Sequence, residues 1–133
     1  MSVPQIDREP LKDLLQVQSK AYDFAAFMVK LISNQHFLPK KHRWAFSRRM
    51  VDKSFDVAKE IDLANEIWLY PENLSSRRSH QDAASGLLKN LLTDIHILNS
   101  LKRLPQRKLM KTVGAIKELL GLIDSWRRSD ETR

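Results

Sequence analysis

"AASGLLKNLLTDIHILNSLKRLPQRKLMK", residues 83–111, decides how the chain folds. Ala84, Leu87, Leu88, Leu91, Ile95, Leu98 and Leu101 recur at three- and four-residue spacing, which draws one apolar stripe along a helix of about 3.6 residues per turn. The stripe gives out before Pro105, and the surroundings change character at once. Lys102, Arg103, Arg107, Lys108 and Lys111 follow one another with no acid among them. A short link of this kind joins helices that pack as antiparallel neighbours.

Three further segments share the helical period. After Pro105, Leu109, Val113, Ile116, Leu119, Leu120, Ile123 and Trp126 form a second stripe, and the polar tail "RRSDETR" is expected to fray. Before "PENLSS", where Ser75 or Ser76 is the expected N-cap, a long segment from Pro39 to Tyr70 stops at Pro71. Its apolar residues, from Trp44, Phe46 and Met50 to Ile67 and Trp68, cover about half the helix circumference, wider than one packing seam requires. The first segment starts at Pro10 and carries Leu11, Leu14, Leu15, Ala21, Tyr22, Ala25, Met28, Val29 and Ile32. The expected fold is all-α: helices at about 10–33, 39–70, 76–102 and 105–128 in a single domain spanning residues 1–133, arranged as an up-down-up-down four-helix bundle.

Composition agrees with helices, since glycine (3) and proline (5) are both scarce. The chain has no cysteine, which removes disulfides and thiolate chemistry and fits a reducing compartment. The opening "MSVPQIDREP" has no apolar run, and no later apolar run is long, so the expected location is cytoplasmic, with no membrane partner.

Charge is the most informative property. Lys and Arg (23) outnumber Asp and Glu (16), for a net charge of +7, and the excess is concentrated. "PKKHRWAFSRRMVDK", residues 39–53, holds Lys40, Lys41, Arg43, Arg48, Arg49 and Lys53 around His42, with Asp52 as its single acid. Cations at a helix start oppose the helix dipole, so another influence must favour them there. In the expected bundle this stretch meets Lys102, Arg103, Arg107, Lys108 and Lys111 at one pole, where free helix N–H groups also attract anions. Glu60, Asp62, Glu66 and Glu72 fall toward the other pole. The two clusters together are the expected nucleic-acid site. The plainer alternative is a solvated basic surface that keeps the protein soluble.

Motifs for catalysis are missing. His36, His42, His80 and His96 show no ligand pairing, and there is neither HExxH nor Glu-x-x-His. His96 is read as a packed histidine beside its stripe. Gly86, Gly114 and Gly121 lie within expected helices and form no phosphate loop. Neither a catalytic residue, a metal nor a cofactor is expected.

Four stretches carry a family resemblance: "FLPKKHRW" at 37–44, "IDLAN" at 61–65, "LLKNLLTDIHILNSLKRL" at 87–104 and "ELLGLIDSW" at 118–126. Together they resemble the accessory variability determinant proteins of diversity-generating retroelements, which are similar in turn to four-helix proteins encoded in intervening sequences of large ribosomal RNA genes. The resemblance spans about residues 15 to 128, although Asp124–Ser125 stands where relatives commonly have Gly-Gly. It implies a ring-shaped homopentamer that binds template RNA, including an RNA–DNA hybrid, and a reverse transcriptase, supporting mutagenic complementary-DNA synthesis without chemistry of its own. The broad arc of the second helix suggests Trp44, Phe46, Met50 and Trp68 as oligomer contacts. The alternative function is a four-helix interaction module for a protein or ribosomal RNA, unconnected with reverse transcription.

Overall fold

The computed structural model describes the backbone of residues 8–34 and 40–132 and the side chains of residues 16–34 and 45–132. Four helices account for nearly all of it: α1 (Arg8–Ser33), α2 (Lys40–Glu66), α3 (Leu74–Leu101) and α4 (Gln106–Glu131). A 3-10 turn, Pro71–Asn73, joins α2 to α3, and the described residues contain no strand. The described part of the chain is therefore all-helical.

Each helix buries one stripe. Val17, Phe24 and Met28 of α1, Met50, Val57 and Ile61 of α2, Leu88, Leu91, Ile95 and Leu98 of α3, and Ile116, Leu119, Ile123 and Trp126 of α4 form one core. Full burial of each such side chain contributes about 1.5–3 kcal/mol, so the stripes outweigh individual surface contacts in holding the helices together. The stripe read for α1 is broader than its buried part. Tyr22 and Val29 stay exposed, while Val17, Phe24 and Leu31 carry the packing instead.

Helix α1 packs on α2 and α4, and α3 packs on α2 and α4. Polar pairs mark the register. Lys53 of α2 meets Asp94 of α3 and Glu60 meets His80, so rising positions on α2 face falling ones on α3. Between α3 and α4, Arg77 meets Asp130 and Asp82 meets Arg127 in the same opposed sense, and Lys20 of α1 meets Glu118 of α4.

Several boundaries differ from expectation for identifiable reasons. Helix α2 ends at Glu66 rather than Tyr70. Tyr70 precedes Pro71, whose ring disfavours helical backbone in the residue before it, and Tyr70 is extended at φ −115 and ψ 153. Arg77 Nη1 donates to the carbonyls of Ile67 at 2.8 Å and Ala64 at 3.4 Å, satisfying the end of α2 from the next helix. Helix α3 starts at Leu74, with Asn73 rather than Ser75 or Ser76 at the N-cap position, and Asn73 turns its Nδ2 to the Trp68 carbonyl.

The tail expected to fray is ordered helix as far as Glu131. Asp130 is buried there, accepting from Arg77 Nε at 2.7 Å and from Gln81 Nε2 at 2.8 Å. The Arg77 guanidinium also lies over the Trp126 ring, 5.4 Å from its centroid. Both arginines near the start of α3 thus have partners that offset their poor placement in the helix dipole, because Arg78, one position on, pairs with Glu131 at 2.9 Å.

Candidate nucleic-acid interface

The end of α1 and the start of α4 meet at a pocket of about 200 Å³ lined by Phe27, Lys30, Leu31, Asn34, Lys108 and Lys111. Helix α2 begins at Lys40, six positions beyond Asn34, and α3 ends at Leu101, just before the basic link to α4. The start of α2 and the α3–α4 link therefore lie toward the same end of the molecule. Neither α2 nor α4 has an acid in its first turn. The Pro105 position before α4 supplies no side-chain cap, and Leu109 N–H bonds the Pro105 carbonyl at 2.9 Å.

The basic residues divide into three groups by what they touch. Arg103, Arg107 and Lys111 are exposed and Lys108 is partly so; none of these four forms an ion pair among the described residues. Lys102 beside them is partly buried and has a partner. Lys111 Nζ stands 5.8 Å from the Phe27 ring centroid, a cation over an aromatic face. Arg48 is 91% exposed and approaches Asp52 one turn along its own helix at 3.6 Å. A pair so exposed contributes little to stability, which leaves the guanidinium available to another anion.

Arg49 and Lys53 face elsewhere. Both converge on Asp94 of α3, a carboxylate only 7% exposed, with Lys53 Nζ at 2.6 Å and Arg49 Nε at 3.6 Å. Lys53 is largely enclosed and serves the α2–α3 contact, while Arg49 keeps most of its surface. The side chains of Lys40, Lys41, His42, Arg43 and Trp44 lie outside the described residues, though their backbone forms the start of α2.

Of the expected oligomer contacts, Met50 is completely buried in the chain's own core and has no surface to offer a neighbour. It falls in register with Val57, Ile61 and Ala64 on the inward stripe of α2. Phe46 is partly buried against the same core. Trp68 is exposed and stacks on Tyr70 with centroids 6.4 Å apart. Further exposed apolar side chains occur at Tyr22, Val29, Phe55, Ile97, Leu101 and Met110. His96 is exposed rather than packed, and His80 Nδ1 sits 2.6 Å from Glu60.

Periodicity missed Lys30 and Phe27 as neighbours of the basic link. Lys30 is the one cation in the last turn of α1, an unremarkable place for a lysine, and only the α1–α4 contact gives it company.

The fold and this charged end define a class, an all-helical four-helix protein with cations gathered toward one end. No family model matches the chain, and no curated protein or solved structure matches it either. No helix among the described residues is long and apolar enough to cross a membrane.

Proposed function

We propose that this chain is a non-enzymatic RNA-binding accessory protein of a retroelement reverse transcriptase, acting as a cytoplasmic homo-oligomer of up-down-up-down four-helix bundles. The observation that carries the RNA-binding reading is the group of cations without acidic partners at Arg103, Arg107, Lys108 and Lys111, gathered where α1 ends and α4 begins. Unpaired cations on a rigid frame suit a polyanion, whose backbone contacts are electrostatic and largely independent of sequence. The opposed pairings of Lys53 with Asp94, Glu60 with His80 and Arg77 with Asp130 support the up-down order. The reverse transcriptase, the hybrid substrate and the number five rest on the family resemblance of "FLPKKHRW" and the three matching stretches. Exposed apolar residues such as Val29, Phe55, Leu101 and Met110 support self-association, in place of Met50.

The test is RNA affinity as a function of salt. Replacing Arg103, Arg107 and Lys108 together by Gln should weaken binding and reduce the slope of log affinity against log salt by about 0.7–0.9 for each phosphate that is no longer neutralised. Replacing Arg127 and Arg128, which pair with Asp82 and Asp124 at the other end, should change neither. Equal weakening by the two sets would overturn the reading.

A further inference from the structure

The pocket between α1 and α4 has a chemistry that a merely basic surface lacks. Its wall combines two apolar side chains, Phe27 and Leu31, with the amide of Asn34 and three lysines, Lys30, Lys108 and Lys111. No acid lines it, and none of the three lysines is in an ion pair among the described residues. Ammonium groups gathered round one concavity repel each other, and a bound anion relieves that repulsion. One face of the Phe27 ring already has a guest, the Lys111 ammonium, whose Nζ lies over it at 5.8 Å from the centroid.

We propose that this pocket is a subsite for one nucleotide of single-stranded RNA, in which the lysines hold a phosphate and Phe27 stacks on the base. The inference rests on the RNA-binding reading above and gives it a place where bases, and not only phosphates, are felt. Size favours one unit of a polymer: about 200 Å³ is below the roughly 300–1,000 Å³ of sites that enclose a whole small molecule. Chemistry favours a nucleotide over an acidic peptide, because a carboxylate would satisfy the lysines and leave the aromatic face without a flat partner. On binding, Lys111 turns from the ring to the phosphate, and the base takes the position that the ammonium leaves.

The experiment uses the full chain and two fluorescent ligands at matched salt, a short oligouridylate and an abasic ribose-phosphate oligomer of equal length. The parent should prefer the oligouridylate by about tenfold, the order expected for one base on one aromatic ring. Phe27→Leu should abolish that preference and Phe27→Tyr should keep it, with circular dichroism showing both variants folded. Lys30→Gln should weaken both oligomers together, whereas Arg103→Gln should weaken both without touching the preference. Equal affinity of the parent for the two oligomers, or a preference that survives in Phe27→Leu, overturns the subsite. If Lys30→Gln has no effect while Arg103→Gln does, the pocket fails and the RNA-binding reading stands. If the parent binds neither oligomer nor a longer RNA, both fail.

Discussion

Arg77, in the first turn of α3, donates from Nε to Asp130 Oδ2 at 2.7 Å, closing a contact between residues 53 positions apart. The pair is 8% and 2% exposed, and its further hydrogen bonds go to Gln81 and to the carbonyls of Ala64, in the last turn of α2, and Ile67, just past it. One guanidinium thus fastens the ends of two helices to the start of a third. Asp130→Ala should cost about 3–5 kcal/mol, because it strands a buried cation. Replacing both partners, as Arg77→Met with Asp130→Leu, should cost less than Asp130→Ala alone; urea unfolding of the three proteins checks the order.

Asp94 holds Lys53 and Arg49 against α3, so Lys53 is a structural residue within a basic stretch. Lys53→Gln should lower stability by about 1–3 kcal/mol by leaving a nearly buried carboxylate short of its closest donor. Its RNA affinity at a temperature where it remains folded should match the parent's. Arg48→Gln should do the reverse, leaving the unfolding midpoint in place and weakening RNA binding.

Self-association should depend on exposed apolar positions and not on the inward stripe of α2. Leu101→Glu and Val29→Glu should give smaller species by light scattering with unchanged helicity. Met50→Glu should lose helical structure altogether, since it buries a carboxylate with no partner in the core.

Tyr22 donates its hydroxyl to Asp62 Oδ1 at 2.7 Å. That bond, then desolvation, then the repulsion a phenolate would meet from the same carboxylate raise the phenol above its ordinary pKa of 10.0. The unfolded chain therefore releases this proton first. The stabilising contribution is complete below the ordinary value and is lost as pH rises through the raised one. Tyr22→Phe should flatten that alkaline limb of stability, and tyrosinate absorbance of a Tyr70→Phe protein should show Tyr22 titrating later than free tyrosine.

Gly114 and Gly121 lie on the exposed side of α4, and a Cβ added at either meets nothing within 4 Å. Alanine at each should stabilise the protein by about 0.5–1 kcal/mol, chiefly by restricting the unfolded chain. Thermal melts of the two single variants and the double test this, and the two effects should add.

The four helices were legible in the sequence because their buried residues are periodic, most plainly from Leu88 through Leu91 and Ile95 to Leu98. What decides where helices end was not. Arg77 and Asp130 each sit in a charged run that reads locally as solvated surface, and only tertiary packing turns them inward. The broad arc of α2 suggested an outward role for Met50, since periodicity ranks positions on a circle without saying which sector the neighbouring helices occupy. The cationic link was visible as charge, yet its pocket was not, because Phe27 and Lys30 come from a helix that contributes no cluster of its own.

The separation of Arg103 and Arg107 from Glu60, Glu66 and Glu72 along the molecule has an electrical consequence, a permanent dipole roughly parallel to the helices. Copies laid side by side with their axes parallel set like ends against each other, while copies laid head to tail attract. An RNA strand lying across several cationic ends supplies the missing counter-charge and reverses that preference. Assembly and RNA binding are then thermodynamically linked: whatever free energy the strand contributes to the parallel arrangement, the arrangement contributes equally to affinity for the strand. Dilute salt would therefore oppose a parallel ring in the absence of RNA and favour it in its presence.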